Sequence, residues 1–276
     1  MGVTWNIKGK LSGPEFPQIM GIINATPDSF HPDSRVKGIE YVLRKTEKMI
    51  QEGADIIDIG GASSRPGAET VAMNEELDRV IPVVEAIARN FPDTLLSIDT
   101  WRAQVAKEAI TAGAGMVNDI SAGQLDNAMF HTVAELAVPI ILMHMQGTPV
   151  SMQQNPEYEH VVQDITSYLS ARKKAAFDAG IADVILDPGF GFGKTLEQNF
   201  SLLRGLESIV NLGAPVLVGL SRKSMITKAL GVPTAEALNG TSVLNTIALD
   251  RGAHILRVHD VSEAKECVRL LERLNS

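Results

Sequence analysis

Cysteine is almost absent: Cys267 is the only one in 276 residues. No internal disulfide can form, which fits a reducing compartment, and the cytoplasm is the expected location. Cys267 falls in a closing amphipathic stretch, where packing is its expected role. Long apolar runs are missing too. None approaches the ~20 residues needed to cross a bilayer, and Met1 to Leu11 lacks the apolar core of a signal peptide. Nor is there excess positive charge. The formal net charge of −8 argues against general nucleic-acid binding, which needs a positive field to gather phosphates. A few local arginines and lysines would still suffice for an anionic small molecule. No Pro/Ser-rich linker or compositional shift marks a boundary, so residues 1–276 read as one domain. At 45% hydrophobic residues, such a chain can bury a core without disulfide or metal staples.

What is present is a rhythm. Short apolar or β-branched runs recur, each followed by a stretch of helical periodicity. The expected strands are Ile19–Asn24, Ile56–Gly60, Leu95–Asp99, Met116–Asp119, Pro139–His144, Val184–Asp187, Val216–Gly219 and Ile255–Val258. Helical candidates include Ile39–Glu52, Glu75–Arg89, Arg102–Ala112, Glu157–Ala179 and Val261–Leu274, with an additional helix over Asn239–Asp250. Gly53, Gly113 and Gly180 stand where helices should end in left-handed caps. Eight strands alternating with helices predict a (β/α)8 TIM barrel, an α/β fold, over an open doubly wound sheet.

The unusual polar residues fall at the strand ends. Asn24, Asp58, Asp99, Asn118-Asp119, His144 and Asp187 close the first six strands or lie near their ends. Ser221-Arg222-Lys223 follows the seventh, and Arg257-Val258-His259-Asp260 closes the eighth. One such residue is usually a cap or a solvated turn. Eight together, at the end where barrel active sites form, point to a site. Some must still be structural, and Asp58 is a candidate for merely orienting its neighbours. Two βα connections are long: from Asn24 through Phe30 to Lys37-Gly38, and from Gly60 through Arg65-Pro66-Gly67-Ala68. Such lengths suit lids or binding loops.

Two apparent motifs fail. Gly189-Phe190-Gly191-Phe192-Gly193-Lys194-Thr195 resembles a phosphate loop, but Pro188 stands where the first glycine belongs. Its glycines also alternate, unlike a dinucleotide fingerprint, and follow the sixth strand. The histidines show no paired helical spacing for zinc, so a histidine metal centre is not expected.

In order along the chain, the motifs resemble those of the dihydropteroate synthase family, from about Ile19 to the C-terminus. The segments carrying the resemblance are Gly21-Ile22-Ile23-Asn24-Ala25-Thr26-Pro27-Asp28-Ser29-Phe30, Asp58-Ile59-Gly60-Gly61 with Arg65-Pro66-Gly67, and Ser97-Ile98-Asp99-Thr100. They continue as Val117-Asn118-Asp119-Ile120-Ser121, Leu186-Asp187-Pro188-Gly189-Phe190-Gly191-Phe192-Gly193-Lys194, Ser221-Arg222-Lys223 and Arg257-Val258-His259-Asp260. The resemblance implies an enzyme that joins a pterin diphosphate to 4-aminobenzoate, with Mg2+, as a homodimer through outer helices. It implies that Asp99, Asn118, Asp187 and Lys223 read the pterin edge, where carboxylate and amide suit a donor–acceptor face. It places the diphosphate on Asn24, Ser64, Arg65, Arg257 and His259, with magnesium near Asn24. The aminobenzoate is expected beside Phe30, Arg65, Pro66, Phe192, Lys223 and Ser224. Ser224 is either a carboxylate-binding hydroxyl at a helix start or only a capping residue. Asn24, Asp99, Asp187, Lys223, Arg257 and His259 are the residues expected to carry the chemistry.

Two other readings share the pterin residues: a pterin-dependent methyltransferase barrel and a non-catalytic pterin-binding paralogue. Asp28-Ser29-Phe30 and Arg65-Pro66-Gly67 argue against both. This sequence departs from the family pattern at Ser64, where threonine is common, and at Ala62, which replaces a common glutamate. His31-Pro32-Asp33-Ser34 is less glycine-rich than many first loops. Position 64 borders the expected aminobenzoate site, where sulfonamides would compete.

Overall fold

Strands that are apolar on both faces must be covered on both faces, which a parallel sheet wrapped by helices provides. The computed structural model describes residues 4–7, 9–12, 15–25, 35–62, 71–147, 152 and 156–275. A hairpin, β1 (Trp5–Ile7) and β2 (Lys10–Ser12), comes first. Then follow β3 (Gln18–Asn24), α1 (Arg35–Gln51), β4 (Ile56–Gly60), α2 (Met73–Asn90), β5 (Leu95–Asp99), α3 (Ala103–Ala112) and β6 (Met116–Asp119). Next come α4 (Met129–Leu136), β7 (Ile140–Met143), α5 (Val161–Asp178), β8 (Val184–Asp187), α6 (Leu196–Arg204) and α7 (Glu207–Val210). The chain ends with β9 (Leu217–Val218), α8 (Ser224–Leu230), α9 (Leu238–Asp250), β10 (Ile255–Val258) and α10 (Val261–Asn275).

Strands β3 to β10 form one parallel sheet in the order β8-β7-β6-β5-β4-β3-β10-β9. A parallel bridge between Leu186 and Val216 joins its two ends, and Leu186 N–H donates to Pro215 O at 2.9 Å. The sheet is therefore a closed eight-stranded (β/α)8 barrel, as the rhythm predicts.

The two-residue strand period sorts every strand into an inner and an outer face. Ile19, Ile57, Val117, Ile140, Leu186, Val218 and Leu256 belong to the main core beneath the helices. Residues of the other parity, Met20, Ile56, Met116, Ile141, Ile185, Leu217 and Ile255, gather inside the barrel around Trp5. Two residues further along the same strands come Ile22, Asp58, Asn118, Met143, Asp187, Gly219 and Arg257. An apolar layer therefore closes one end of the barrel, and a largely polar layer lies above it.

Five expected strands match residue for residue. Pro139–His144 shortens at both ends to β7, Val216–Gly219 to β9, and the first strand begins one residue earlier, at Gln18. Gly53, Gly113 and Gly180 have φ of +100°, +132° and +94°, as helix-ending glycines should. The helix expected from Glu157 begins only at Val161. Gln146 explains the delay: its amide donates to Glu157 O at 2.8 Å and accepts from Glu157 N–H at 3.0 Å, which ties that peptide away from a helical ladder.

The hairpin had no strong sequence signal, yet it stoppers the barrel. Trp5 is 2% exposed, packs edge-on to Phe16 at 5.9 Å, and Phe16 meets His254 edge-on at 5.2 Å. Trp5→Ala should therefore cost about 3–5 kcal/mol, the range for emptying a large aromatic site. Urea unfolding checks this, and a loss below about 1 kcal/mol would refute the stopper role.

Candidate active site

Arg257, on the inner face of β10, ties the polar layer together. Its Nε donates to Asp58 Oδ2 at 2.7 Å, and its Nη2 donates to Asp99 Oδ2 at 2.8 Å. Asn118 Nδ2 donates to the same Asp58 oxygen at 3.0 Å. Strands β4, β5, β6 and β10 are thus cross-linked through their inner faces. Asp58 is fully buried, so its expected orienting role is what the geometry displays. Burial raises Asp99 to about 7; Arg257 opposes the rise, while Asp58, Glu76 and Asp119 add to it. Burial also works against charge on Arg257, but Asp58 and Asp99 outweigh it and hold the guanidinium above its usual range.

A second group lies at the ends of β8 and β9. Asp187 accepts from Gly189 N–H at 2.7 Å, and burial raises its pKa against the opposing pull of Lys223. Lys223 donates to Phe190 O, and its ammonium lies 4.7 Å from the centre of the Phe192 ring. Burial lowers Lys223 to about 8, with Asp187 opposing and Arg257 reinforcing the fall.

The turn after β9 explains how Lys223 is aimed. Arg222 has φ +55°, a conformation uncommon for a non-glycine residue. Its guanidinium holds Asp260 with both forks, Nε to Oδ2 at 2.8 Å and Nη2 to Oδ1 at 2.9 Å. Nη1 donates to Thr234 O at 3.1 Å and Ala235 O at 3.0 Å. Beside it, Ser221 Oγ lies 3.0 Å from His259 Nδ1. Burial lowers His259 to about 4, with Arg257 adding to the effect, so its ring is neutral near pH 7. His259 offers a hydrogen bond and no charge.

The structure therefore brings Asp99, Asn118 and Arg257 into one network, and Asp187, Lys223 and Phe192 into a second. The two are electrostatically coupled, since Arg257 acts on both Asp187 and Lys223. Asn24 ends β3 in an exposed position at the same end of the barrel. Ser224 is the first residue of α8 and Lys223 its cap, so the capping alternative for Ser224 is set aside. Phe30, Ser64, Arg65 and Pro66 lie outside the described residues. Asp119 is structural: it accepts from Ser121 N–H at 2.8 Å, Ser121 Oγ–H at 2.7 Å and Gly123 N–H at 2.6 Å.

Several contributors escaped the sequence reading. Fully buried Glu76 accepts from Thr100 Oγ1 at 2.7 Å and pairs with Arg102, next to Asp99. Lys45 of α1 donates to Ile22 O at 3.1 Å and acts electrostatically on His259. Ile120, Met143, Met145 and Met152 form an apolar patch against Trp101 and Phe192. Only Lys45 had a findable signal, as a cation on the inward side of an amphipathic helix.

Buried carboxylates, an amide and captive cations at one end of the barrel suit a polar ligand rich in hydrogen-bond donors and acceptors. The family model described as "Pterin binding enzyme" matches residues 20–259. The dihydropteroate synthase of Haemophilus influenzae is 46% identical over 256 residues, covering 92% of each chain. That of Escherichia coli is 45% identical over 258 residues, covering 93% of this chain and 91% of the relative. Xanthomonas albilineans dihydropteroate synthase, solved with 4-aminobenzoic acid, superposes with a TM-score of 0.91 at 38% identity, covering 100% and 99% of the two chains. The Yersinia pestis synthase in a sulfonamide complex gives 0.90 at 40% identity, covering 99% of each. The chain belongs to the dihydropteroate synthase family of pterin-binding enzymes.

Removing Arg257 would leave two buried carboxylates facing each other without their cation. Arg257→Met is expected to destabilise by about 3–5 kcal/mol. The loss should be larger at pH 8 than at pH 6, because Asp99 titrates at about 7 and is mostly uncharged at the lower pH. Urea titrations at both pH values check the magnitude and the sign.

Proposed function

We propose that this chain joins 6-hydroxymethyl-7,8-dihydropterin diphosphate to 4-aminobenzoate, giving dihydropteroate and diphosphate. The observation that carries the reading is the inward polar layer of Asp58, Asp99, Asn118, Asp187 and Arg257 above an apolar floor. Asp99, Asn118 and Asp187 take the pterin edge, where carboxylates accept from amino and ring N–H groups and the amide can both give and accept. Lys223 supplies a further donor. An apolar wall is available for the ring systems in Ile120, Met143 and the Phe192 ring that packs against them.

The diphosphate is assigned to Asn24, Ser64, Arg65, Arg257 and His259. Arg257 uses Nε and Nη2 on the two aspartates, and Nη1 is the remaining fork for a phosphate oxygen. The donor set fits magnesium better than a protein-caged ion. Among the described residues no three of His, Cys, Asp and Glu cluster to hold a metal, while Asn24 presents an exposed amide. Magnesium takes most of its shell from phosphates and water, and when bound it neutralises charge on the departing diphosphate. The aminobenzoate is assigned to Phe30, Arg65, Pro66, Phe192, Lys223 and the hydroxyl of Ser224. Sulfonamides would compete there.

The bond from the pterin methylene to the diphosphate oxygen breaks, and its electron pair leaves with diphosphate. The dihydropterin spreads the resulting positive charge into its ring. Asp99 and Asp187 sit where that charge develops, and a cation beside them favours their ionised forms. The amine lone pair then makes the C–N bond, and its surplus proton passes to water. No side chain needs to act as nucleophile.

We read residues 1–276 as one domain acting in the cytoplasm; no described helix is long and apolar enough to cross a membrane. A homodimer is supported by Val243 and Ile247 on α9 and Leu270 and Leu274 on α10, which are 50%, 38%, 73% and 78% exposed on helices that pack together. An apolar face of this kind marks an interaction surface. Sedimentation velocity should give twice the chain mass, reverting toward monomer in Ile247→Glu/Leu270→Glu; a monomeric native chain would remove the dimer.

Mixing both substrates with magnesium and the purified chain should release diphosphate and form dihydropteroate. Asp187→Ala and Lys223→Ala should each slow this about 10- to 100-fold, since a charged hydrogen bond is worth about 1.5–3 kcal/mol and each 1.4 is tenfold. No diphosphate release from the native chain would overturn the function. Near-normal turnover in the folded variants would remove the two assignments.

A further inference from the structure

The Gly-rich turn between β8 and α6 holds a buried lysine that neither the pterin nor the diphosphate assignment uses. Lys194 is 4% exposed. Its Nζ donates to Gly189 O at 2.8 Å and Phe192 O at 3.0 Å, and lies 3.1 Å from His144 Nδ1. His144 is held near 3 by burial, with Lys194 adding to the effect, so its ring is neutral and accepts. His144 O is a fourth acceptor at 3.5 Å, so every donor of the ammonium form is met, while burial lowers the Lys194 pKa to about 7. The turn has wrapped around its own lysine, which leaves Nζ engaged by the turn's carbonyls.

Other peptides of the turn are fixed as well. Asn199 of α6, 3% exposed, accepts from Gly191 N–H at 2.7 Å and donates to Thr195 O at 2.7 Å and Lys194 O at 3.3 Å. Tyr158 donates to Gly193 O at 2.7 Å. At Gly189, φ +68°, an added Cβ would lie 1.9 Å from His144 O, so the turn is pressed directly on the end of β7. What the turn presents outward is the Phe190 carbonyl and the Phe192 ring, the two groups that hold Lys223. A buried ammonium is a costly way to pack a turn, and an apolar side chain of similar volume is often no less stable.

We propose that Lys194 and Asn199 are positioning residues that set the Phe192 ring and the Phe190 carbonyl against Lys223, and so determine affinity for the aromatic amine. This rests on the reading above that 4-aminobenzoate lies on Phe192. The turn also reaches Asp187, through Gly189 N–H at 2.7 Å and through the Lys194 charge. Lys223, however, is the larger electrostatic partner of Asp187 and stays beside it when the turn loosens, so the pterin half of the site changes less.

The test is steady-state kinetics on folded Lys194→Met, Asn199→Ala and, as a control, Phe192→Ala. Asn199→Ala loosens the same turn without removing a buried charge, and so serves if Lys194→Met does not fold. Both turn variants should raise KM for 4-aminobenzoate about tenfold, the effect of a ~1.4 kcal/mol loss. KM for the pterin diphosphate should stay within about threefold. If Phe192→Ala raises KM for 4-aminobenzoate while the folded turn variants stay within twofold, the positioning role is overturned and the aminobenzoate assignment stands. An unchanged KM in Phe192→Ala overturns that assignment itself, and the inference with it. Equal rises for both substrates in the turn variants would mean general loosening and also overturn the proposal.

Discussion

A guanidinium placed between two carboxylates at the centre of a barrel is the arrangement on which the site depends. Asp58 is fully buried and Asp99 nearly so, and a carboxylate there would lose its charge without a cation. Arg257 supplies that cation, and the Asn118 amide occupies part of the remaining acceptor capacity. The four residues come from β4, β5, β6 and β10, so the network exists only once the last strand has docked beside the first barrel strand. Docking of β10 on β3 and assembly of this network are the same event. The arrangement is not the most stable filling for that space, since buried ion pairs often do no better than apolar side chains of equal volume. What it provides is a set of acceptors held in fixed directions before any ligand arrives.

Strand parity explains how one short sequence builds both the plug and the site. Moving two residues along a strand keeps the same face, so Ile56 leads to Asp58, Met116 to Asn118, Ile185 to Asp187 and Ile255 to Arg257. The lower residue of each pair packs around Trp5, and the upper one carries a polar group. A register slip of one residue would turn all four polar groups into the helix-facing core. The hairpin and the active site are therefore linked through the barrel axis, although they lie at opposite ends.

Much of this was legible in the sequence because its signals were periodic. Strands β4, β5, β6, β8 and β10 and their terminal polar residues followed from apolar runs that stop at a charged or amide side chain. The rest depended on contacts that no local pattern encodes. The strands of the hairpin have three residues each, too few for periodicity to register. The late start of α5 is set by Gln146, eleven positions before the peptide it captures. Glu76 reads as an ordinary acidic residue in the first turn of a helix, yet it is fully buried against Thr100 and Arg102. Within the site, the residue types were readable and their pairings were not: Arg257 looked like a phosphate ligand, and the fold first makes it the partner of two aspartates.

That double commitment bears on how the two halves of the reaction communicate. Nε and Nη2 of Arg257 are engaged by Asp58 and Asp99, so the anion that the proposed diphosphate assignment puts on the same guanidinium competes for its charge. Bound diphosphate would weaken the hold of Arg257 on Asp99 and push that carboxylate's already raised pKa further up. Loss of diphosphate would reverse this, returning the cation to the aspartates as positive charge appears on the pterin ring. The carboxylates would then be most fully ionised at the stage when the ring most needs them. Lys223 lies under the same influence, since Arg257 lowers its pKa and Asp187 raises it. A site with more cations than this would tolerate the leaving group better but oppose the pterin cation. The observed balance, with Asp58, Asp99 and Asp187 around Arg257 and Lys223, is suited to a reaction that expels an anion and generates a cation in the same pocket.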